Sequence, residues 1–321
     1  MNAVTPSPSL LGRDLVSGAD LVREEVDLLL GRASELKAEL RATRGHARLP
    51  LARRTLAMIF EKPSLRTRVT FEAGMVQLGG HALHLAAEVG FGTRESVADI
   101  ARNLSRWIDA IAIRTFEQPV VEALAREASV PVINALTDAE HPCQALADLF
   151  TLREQFGRLD GLVLAFVGDG NNVFHSLALL GALEGLEVRL AHPPGYDPDP
   201  AVIERARTIA AAHGGRIVVG EDPREIVDGA QAVYTDTWIS MGKEAETVTR
   251  REAFAAYRVD DALLDAAGSG AVAMHCLPAH RGEEITSEVL DGPRSLAYEQ
   301  AENRLHVQKS FLVESIAGSE S

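Results

Sequence analysis

The chain has 321 residues, of which 46% are hydrophobic and 24% charged, a composition that is ordinary for a globular protein of about two domains. Its formal net charge of −14 argues against nucleic-acid binding, and no apolar run approaches the roughly 18 residues of a membrane-spanning helix. The two cysteines, Cys143 and Cys276, lie far apart in sequence, which excludes a disulfide framework and favours the reducing cytoplasm.

Short apolar, β-rich segments alternate with helical patterns along the chain. The predicted strands are Thr55–Phe60, Ala82–Leu85, Ala110–Arg114, Pro131–Asn134, Val163–Val167, Glu187–Ala191, Arg216–Val219, Ala232–Tyr234 and Ala271–His275. Helical stretches of about 10–15 residues separate most of them, which is typical of parallel sheets covered by helices on both faces. We therefore expect an α/β fold with two doubly wound parallel-sheet domains, joined at a helix over about Pro142–Phe156.

The turn after the first predicted strand is rich in hydroxyls and guanidiniums, contributed by Ser64, Arg66, Thr67 and Arg68. Ser64 is a favourable N-cap residue, and a helix-like segment follows over residues 69–78. A helix N-terminus with unpaired N–H groups is an anion site, and arginine binds phosphate through paired hydrogen bonds. The turn predicts phosphate binding; an ordinary capped helix with surface arginines is the alternative.

Further polar residues follow other predicted strands. Arg114 ends the third strand, and His141 stands three residues before Gln144 at a helix start, so the latter two can face one ligand. In open parallel sheets, ligands bind beyond the carboxyl ends of the strands. An imidazole and an amide there could polarise a carbonyl group, although a lone histidine is more often structural and a strand-end arginine is as consistent with a position in solvent.

The run from Gly168 to Asn172 also follows a strand and invites a dinucleotide-binding interpretation. Val173 stands where the third glycine of that motif belongs, and no acidic residue closes the next predicted strand, Glu187–Ala191. A tight turn that presents Asn172 to a polar ligand fits the sequence better.

Two later segments also carry candidate chemistry. Asp236 could bind an ammonium group, and Gly242 allows a flexible loop after it. His275, Cys276 and His280 could suggest a metal, but their spacing lacks the regularity of zinc sites, so contact of Cys276 with a substrate is favoured. Arg304, taken alone, indicates only a solvated helix face.

Taken in this order, the segments resemble the aspartate/ornithine carbamoyltransferase family, from about Gly45 to Lys309. The resemblance implies that residues 1–141 bind carbamoyl phosphate, that a C-terminal helix over residues 296–317 returns to that domain, and that residues 142–295 bind ornithine. The implied reaction is attack of the δ-amine of L-ornithine on carbamoyl phosphate, giving L-citrulline and phosphate. The resemblance implies no cofactor and no metal, and a cytoplasmic homotrimer, or a multiple of trimers, that works in arginine metabolism.

The resemblance also implies roles for individual residues. Those implied to bind carbamoyl phosphate are Ser64, Leu65, Arg66, Thr67, Arg114, His141, Gln144, Cys276, Leu277 and Arg304. Those implied to act in catalysis are Arg114, His141, Cys276 and Arg304. Those implied to bind ornithine are Asn172, Asp236, Ser240 and Met241, and the loop Ser240-Met241-Gly242 is expected to close over the substrate.

Two positions depart from the family pattern. Leu65 replaces the threonine that is usual in ornithine enzymes, which is tolerable if this position acts through its backbone N–H. The polar residue that a neighbouring subunit is expected to contribute falls on Gly90, so Arg94 is the alternative donor.

Three alternatives remain open at this point. A carbamoyltransferase for another amine, such as putrescine or an N-acylated ornithine, is the nearest, although Ser240-Met241-Gly242 and His275-Cys276-Leu277-Pro278 favour ornithine. The others are a dinucleotide-dependent oxidoreductase built around Gly168–Asn172 and a non-enzymatic interaction protein.

Overall fold

A computed structural model describes residues 9–85, 94–240 and 242–318 of the chain. The chain divides into two compact units, the first made of Met1–Leu146 with Asn303–Ser321 and the second of Ala147–Glu302. Both divisions fall inside helices, so α5 (Pro142–Phe156) and α12 (Ala297–Ile316) each contribute residues to both units.

The first unit contains a parallel sheet of four strands in the order β2-β1-β3-β4. Its strands are β1 Thr55–Phe60, β2 His81–Leu85, β3 Ala110–Arg114 and β4 Val132–Leu136, and its helices are α1 Arg23–Thr43, α2 Leu65–Gln77, α3 Val97–Leu104 and α4 Gln118–Glu127, with parts of α5 and α12. The central strands β1 and β3 are apolar and almost wholly buried, because helices cover the sheet. By contrast, β2 is an edge strand with exposed residues.

The second unit contains a parallel sheet of five strands in the order β7-β6-β5-β8-β9. Its strands are β5 Val163–Val167, β6 Glu187–Ala191, β7 Arg216–Gly220, β8 Ala232–Thr235 and β9 Val272–His275, and its helices are α6 Asn172–Leu183, α7 Pro200–His213, α8 Pro223–Val227, α9 Thr247–Phe254, α10 Asp261–Ala267 and α11 Ser287–Leu290. The helix α6 is buried along its length, from Val173 to Leu183, as expected for a helix that packs inside an α/β unit.

The strand registers decide which polar residues become neighbours. In the first sheet, Phe60 at the end of β1 pairs with Arg114 at the end of β3. In the second sheet, Thr235 at the end of β8 pairs with His275 at the end of β9. Parallel strands end at one edge, so Arg114 lies beside the turn after β1, and the residues after β8 emerge beside those after β9.

The predicted fold class is confirmed, since all nine predicted strands are present in two parallel sheets and α12 contributes its later residues to the first unit. One helix start was predicted too late. The helix α2 begins at Leu65 because the Ser64 side chain accepts a hydrogen bond of 3.3 Å from the Thr67 N–H. Among the described residues, no helix is both long and apolar enough to cross a membrane.

Candidate functional site

The first unit contains a group of buried and partly buried basic and polar side chains that we call the arginine cluster. Its members are Ser64, Arg66, Thr67, Arg114, His141, Gln144 and Arg304. They come from the N-terminal turn of α2, the end of β3, the start of α5 and the C-terminal helix α12. The sequence separates these residues by up to 240 positions, and the fold of this unit brings them together.

Arg304 holds the arginine cluster together through a forked pair of hydrogen bonds. Its guanidinium donates one bond of 2.6 Å to Gln144 Oε1 and one of 2.9 Å to Thr67 Oγ1. Only 3% of Arg304 is exposed, so the solvated helix face that its local sequence indicates is wrong. A planar guanidinium satisfied on two sides is fixed in orientation, which is what directed recognition of an anion requires.

The arginine cluster concentrates positive charge in a buried place. Burial, together with the positive charges of Arg304 and Arg66, lowers the pKa of Arg114 to about 10. Among the described residues, Arg114 Nε is buried without a hydrogen-bond partner. Such crowding of cations is unfavourable unless an anion neutralises it, so the arginine cluster is suited to a small, multiply charged anion.

His141 is the neutral member of this cluster. Burial lowers its pKa well below the ordinary value for histidine, and the charges of Arg304 and Arg114 act in the same direction. Near neutral pH the imidazole is therefore uncharged, and it can exchange a hydrogen bond with a ligand without adding a further charge.

Two residues of the predicted phosphate turn do not contribute side chains to the cluster. Arg68 is exposed and its Nε pairs with Glu72 at 2.8 Å, one turn along α2. Leu65 is 74% exposed. A ligand of the arginine cluster would therefore meet the backbone of Leu65 at the helix N-terminus rather than its side chain.

The second unit contains a different group, which we call the thiol cluster. Its members are Asp148, Asn171, Tyr234, Asp236 and Cys276. The Cys276 Sγ donates a hydrogen bond of 2.9 Å to Asp236 Oδ1, and Asn171 Nδ2 donates one of 2.8 Å to Asp236 Oδ2. The Thr237 backbone N–H also donates to Asp236, at 2.7 Å. Asp236 is therefore a fixed carboxylate.

The thiol cluster contains negatively charged groups, whereas the arginine cluster contains positively charged ones. Burial raises the pKa of Cys276 well above its usual range, and the carboxylates of Asp236 and Asp148 raise it further. Burial raises the pKa of Tyr234 in the same way, with Asp148 the largest charged contributor. Both groups stay protonated at neutral pH, so Cys276 is a hydrogen-bonding thiol rather than a thiolate nucleophile, and the carboxylates suit an ammonium group.

His275 supports the turn after β9 from inside the core. Its Nδ1 accepts a hydrogen bond of 2.8 Å from the Leu277 N–H, which places the ring proton on Nε2, 3.1 Å from the buried carboxylate of Glu284. Leu277 has a φ of +57°, a left-handed conformation that a branched residue seldom adopts without support. The imidazole therefore holds the backbone that presents Cys276.

Asp236, His275 and Cys276 place their potential metal-ligand atoms within 4.8 Å of one another. Both ring nitrogens of His275 are already engaged, one by a backbone N–H and one by Glu284. The donor chemistry of this trio does not fit a metal ion.

The glycine-rich turn after β5 packs against its own chain. A Cβ atom at Gly170 would lie 2.4 Å from the Pro198 nitrogen, so glycine is required there for close packing. Asp169 accepts a hydrogen bond of 2.7 Å from the buried Arg250, which also donates to the Trp238 carbonyl at 2.8 Å. The turn thereby anchors the segment after Asp236. These contacts account for the glycine-rich sequence of the turn through packing, so a dinucleotide is not needed to explain it.

The remaining predicted residues occur at separate positions of the chain. Asn172 is the first residue of α6, directly after Asn171, and is partly exposed, as is Ser240. Met241 and Gly90 lie outside the described residues, and Arg94 is exposed. Cys276 and Leu277, predicted to contact carbamoyl phosphate, belong to the second unit.

Sequence reasoning missed Asn171, Tyr234, Asp148 and Arg250. Asn171 carried a usable signal, because an asparagine before a helical segment is a favoured N-cap, and its side chain accepts from the N–H groups of Val173 and Phe174. The other three had no such signal, since each depends on a partner at least 80 residues away.

Comparison with known proteins identifies a family for each part of the chain. The family model described as aspartate/ornithine carbamoyltransferase, carbamoyl-P binding domain, matches residues 13–154. The model described as aspartate/ornithine carbamoyltransferase, Asp/Orn binding domain, matches residues 160–314. The chain is 52% identical over 311 residues to an ornithine carbamoyltransferase of Anoxybacillus flavithermus, covering 97% of this chain and 98% of the relative. It is 49% identical to that of Bacillus subtilis, covering 97% and 96%.

Solved structures give the same result. The ornithine carbamoyltransferase from Pyrococcus furiosus matches with a TM-score of 0.94 and 47% identity, covering 97% of this chain and 99% of that one. The enzyme from Thermus thermophilus matches with a TM-score of 0.83 and 47% identity, covering 94% and 97%. Sequence and fold thus agree over almost the whole length, and this chain belongs to the aspartate/ornithine carbamoyltransferase family.

Proposed function

We propose that this chain transfers the carbamoyl group of carbamoyl phosphate to the δ-amine of L-ornithine, giving L-citrulline and phosphate. The observation that carries the proposal is the buried fork of Arg304 on Gln144 and Thr67, set beside Arg114 and His141. This arrangement suits an anion that also carries a polarisable carbonyl group. The near-full-length relatives that are named ornithine carbamoyltransferase support ornithine as the acceptor.

In this proposal the phosphate of carbamoyl phosphate binds at the N-terminus of α2. The hydroxyls of Ser64 and Thr67, the backbone N–H of Leu65 and the guanidinium of Arg66 are its ligands. A helix N-terminus favours this because its first N–H groups have no partners within the helix and its dipole is positive there. Arg66 lies close enough to Arg114 to affect its pKa, which supports a shared anion.

The carbamoyl carbonyl is assigned to Arg114, His141 and Arg304. As the amine attacks, this oxygen becomes an oxyanion, and fixed donors aimed at it stabilise the transition state by about 3–4 kcal/mol each. His141 contributes from its neutral form, since its pKa lies well below the ordinary value. Gln144 Oε1 has two lone pairs, so it can accept from the carbamoyl NH2 while it accepts from Arg304.

Ornithine is assigned to the second unit, where Asp236 and Asn172 would hold its amino-acid end. Closure of Ser240-Met241-Gly242 over the substrate would exclude water and protect carbamoyl phosphate from hydrolysis. Cys276 and Leu277 are assigned to the reacting groups, with Cys276 acting as a neutral hydrogen-bonding thiol. The hydrogen bond from Cys276 to Asp236 supports a shared role for these two residues.

The reaction requires a neutral amine. The nitrogen lone pair forms a bond to the carbamoyl carbon, the carbon–oxygen bond to phosphate breaks, and phosphate leaves with that electron pair and takes the proton of the amine. The δ-amine has a solution pKa of about 10, like lysine, so most of it is protonated at neutral pH. Positive charge from the arginine cluster and desolvation would favour the neutral form. A kcat/KM for ornithine that stays flat between about pH 6 and pH 9 would contradict this account.

The test of the proposed function is the product formed from carbamoyl phosphate and L-ornithine. Citrulline is expected, with putrescine and N-acetylornithine as competing acceptors that react at least about a hundredfold more slowly. A faster reaction with either competitor would overturn the choice of ornithine. The matched variants are Arg66→Ala, which should abolish most activity, and Arg68→Ala, which should not, because Arg68 pairs with Glu72 on the exposed face of α2.

We also propose that the chain works as a homotrimer, or as a multiple of trimers, in cytoplasmic arginine biosynthesis. Exposed apolar side chains on the first unit support assembly. They include Val69 and Val76 on α2 and Leu83 on the edge strand β2. Exposed large apolar side chains are common at subunit interfaces. Light scattering would give the mass, and a monomer at the assay concentration would contradict the proposal.

A trans-subunit contribution can be tested with Arg94. This residue is exposed in the single chain. It is the proposed alternative to the polar residue that the family resemblance expects at the position of Gly90. Mixed subunits of Arg94→Ala and Arg304→Ala should recover activity if one subunit supplies Arg94 and its neighbour supplies Arg304. Activity no higher than that of the separate variants would contradict this role.

A further inference from the structure

Glu140 is a buried carboxylate that comes directly before His141, and the proposed function gives it no role. Its side chain reaches residues 14–18, which we call the N-terminal segment. The Ser17 hydroxyl donates a hydrogen bond to Glu140 Oε1, and the Gly18 N–H donates one of 2.9 Å to Oε2. Each oxygen of the carboxylate therefore accepts a hydrogen bond from the same short segment, more than 120 positions away in sequence.

The N-terminal segment is a firm anchor because it pairs with the edge strand β4. Leu15 and Ile133 form a parallel bridge. In this bridge the Leu15 N–H donates to the Val132 carbonyl at 2.9 Å, and the Leu15 carbonyl accepts from the Asn134 N–H at 2.8 Å. The Asp14 carboxylate also accepts from the Val132 N–H, at 2.7 Å. A side chain that binds this segment is therefore tied to the sheet of the first unit.

The backbone of Glu140 is held as well as its side chain. Its N–H donates to Thr137 Oγ1 at 3.0 Å, and its carbonyl accepts from the Thr137 N–H at 2.9 Å. The Thr137 hydroxyl in turn donates to Gln118 Oε1 on α4, at 2.7 Å. These bonds fix the turn over residues 137–140, which leads from β4 into α5.

The position of the His141 backbone follows from these contacts. Glu140 fixes the peptide unit before it, and Pro142 follows it, which restricts the backbone of the preceding residue. The His141 carbonyl accepts from the N–H groups of Gln144 and Ala145 in the first turn of α5, at 3.0 and 3.2 Å. His141 is therefore held from both sides, and Glu140 provides the hold on its N-terminal side.

We propose that Glu140 is a positioning residue, which binds Ser17 and Gly18 and thereby keeps the imidazole of His141 aimed at the carbamoyl carbonyl. The inference rests on the proposed function for the role of His141. Glu140 acts through His141 and is not required to touch either substrate. A displacement of about 1 Å in a reacting group can lower a rate about a hundredfold, so the contact should affect kcat more than substrate binding.

The experiment compares the full-length wild type with Glu140→Ala and with a matched control, Glu25→Ala. Glu25 is also a buried carboxylate of the first unit that accepts two hydrogen bonds, from Arg13 Nη1 at 2.9 Å and from the Val22 N–H at 3.0 Å. Both of these donors lie outside residues 137–140. Urea unfolding measures the stability that each variant loses, and steady-state citrulline formation gives kcat and KM for both substrates.

Glu140→Ala should lower kcat by about tenfold or more, while KM for carbamoyl phosphate stays within about threefold. Glu25→Ala should keep kcat within about twofold of the wild type, even if it loses as much stability. An unchanged kcat in Glu140→Ala, or an equal fall in kcat in both variants, would overturn the proposal.

A second comparison uses His141→Ala as the starting protein. Adding Glu140→Ala to it should lower kcat by less than about twofold, because the imidazole that Glu140 positions is already absent. A structural role for Glu140 that does not act through His141 predicts instead the same fall in kcat with and without the imidazole, and that result would overturn the proposal. If Glu140→Ala does not fold, Ser17→Ala takes its place in both comparisons. It removes one of the two donors and should lower kcat by about threefold in the wild type but not in His141→Ala.

The position of the imidazole can also be measured without catalysis. Crystal structures of the wild type and Glu140→Ala should show the His141 ring displaced by about 1 Å, or in more than one orientation, in the variant. If the wild type makes no citrulline, the proposed function fails, and these two structures still decide whether Glu140 positions His141. A ring that keeps its wild-type position in Glu140→Ala would overturn the inference.

Discussion

Gln144 on α5 accepts a hydrogen bond of 2.6 Å from the Arg304 guanidinium on α12. One turn further along α5 and one turn back along α12, Asp148 accepts a bond of 2.8 Å from Gln300. The same two helices thus carry a hydrogen-bonded pair in each unit. Spacings of four residues place both members of each helix on one face, so the two pairs follow from helix geometry once α5 and α12 lie side by side.

The fork of Arg304 gives the first prediction. Arg304→Lys keeps the positive charge but cannot reach Gln144 and Thr67 together, because an ammonium is a single point donor. We expect kcat for citrulline formation to fall by about a hundredfold or more, in line with loss of one fixed oxyanion donor. Arg102→Lys is the control, since Arg102 is exposed and pairs with Glu127, and it should keep near wild-type activity. Equal activity of the two variants would show that Arg304 does not act at the reacting site.

The exposure of Leu65 gives the second prediction. Its side chain lies in solvent, whereas the backbone at this position belongs to the N-terminus of α2. Leu65→Thr should therefore leave KM for carbamoyl phosphate within about twofold of the wild type, because the backbone N–H is unchanged. Ser64→Ala is the contrasting variant and should raise this KM, since it removes the cap on the Thr67 N–H and a proposed phosphate ligand. A large fall in KM for Leu65→Thr would show that the missing hydroxyl matters.

The sequence predicted the fold well because hydrophobic alternation and turn residues are local signals. The strands β1, β3, β5 and β6 have the predicted bounds, as does α5. The start of α2 was missed although Ser64 was identified as a cap, because Arg66 and Arg68 were treated as a loop rather than as helical residues. Their different environments, one in the arginine cluster and one on the surface, follow from the angular spacing of a helix, and the sequence motif alone does not reveal them.

The site could be predicted only in part, for a physical reason. Motif resemblance proposes Arg114, His141 and Asp236 as ligand positions, and each lies at or after the carboxyl end of a strand, where ligands of parallel sheets bind. It does not reveal supporting contacts such as that between Asp148 and Tyr234, which join residues 86 positions apart. Those contacts depend on how α5 packs against the sheet, and no periodic pattern in the sequence encodes the pairing. Positions that support a site are therefore harder to predict than positions that bind the ligand.

The neighbours Asn171 and Asn172 give the third prediction. Asn171 caps α6 through the N–H groups of Val173 and Phe174 and also donates to Asp236. Asn171→Ala should lower the free energy of unfolding by about 1–2 kcal/mol, as loss of an N-cap does, and should raise KM for ornithine by freeing Asp236. Asn172→Ala should raise KM for ornithine while the α6 cap stays in place, because Asn172 is proposed to contact the substrate.

Urea unfolding at a fixed protein concentration and ornithine kinetics separate these two asparagines. In the structure, Asn171 caps α6 and donates a hydrogen bond to Asp236. Asn172 is proposed to contact ornithine. If Asn172→Ala leaves KM for ornithine unchanged while Asn171→Ala raises it, then Asn171 rather than Asn172 is the position that serves the substrate. If neither variant changes KM, the assignment of ornithine to this end of the second unit fails.

A buried lysine in the first unit gives the fourth prediction, which concerns pH. Lys309 Nζ lies 2.9 Å from His46 Nε2 and donates to Gln77 Oε1 at 2.9 Å. His46 Nδ1 lies 2.6 Å from Glu39, so the ring proton lies on Nδ1, and Nε2 accepts from the lysine. Burial lowers the pKa of Lys309 to about 8, partly offset by the charge of Glu39.

The sign of the pH effect follows from proton binding. Below about pH 8 both the folded and the unfolded chain hold the proton, and the folded state carries the full penalty of the buried charge. Between about pH 8 and pH 10.5 the unfolded lysine keeps its proton while the folded one loses it, so the contribution of Lys309 to stability rises with pH. Lys309→Met removes this ionisation while roughly keeping the side-chain length. The free energy of unfolding of the wild type minus that of Lys309→Met should therefore rise across this range by about 1–2 kcal/mol, after allowance for solvent screening. Urea unfolding at several pH values and one protein concentration measures this difference, and a difference that is constant or falls with pH would show that Lys309 keeps an ordinary pKa in the folded chain.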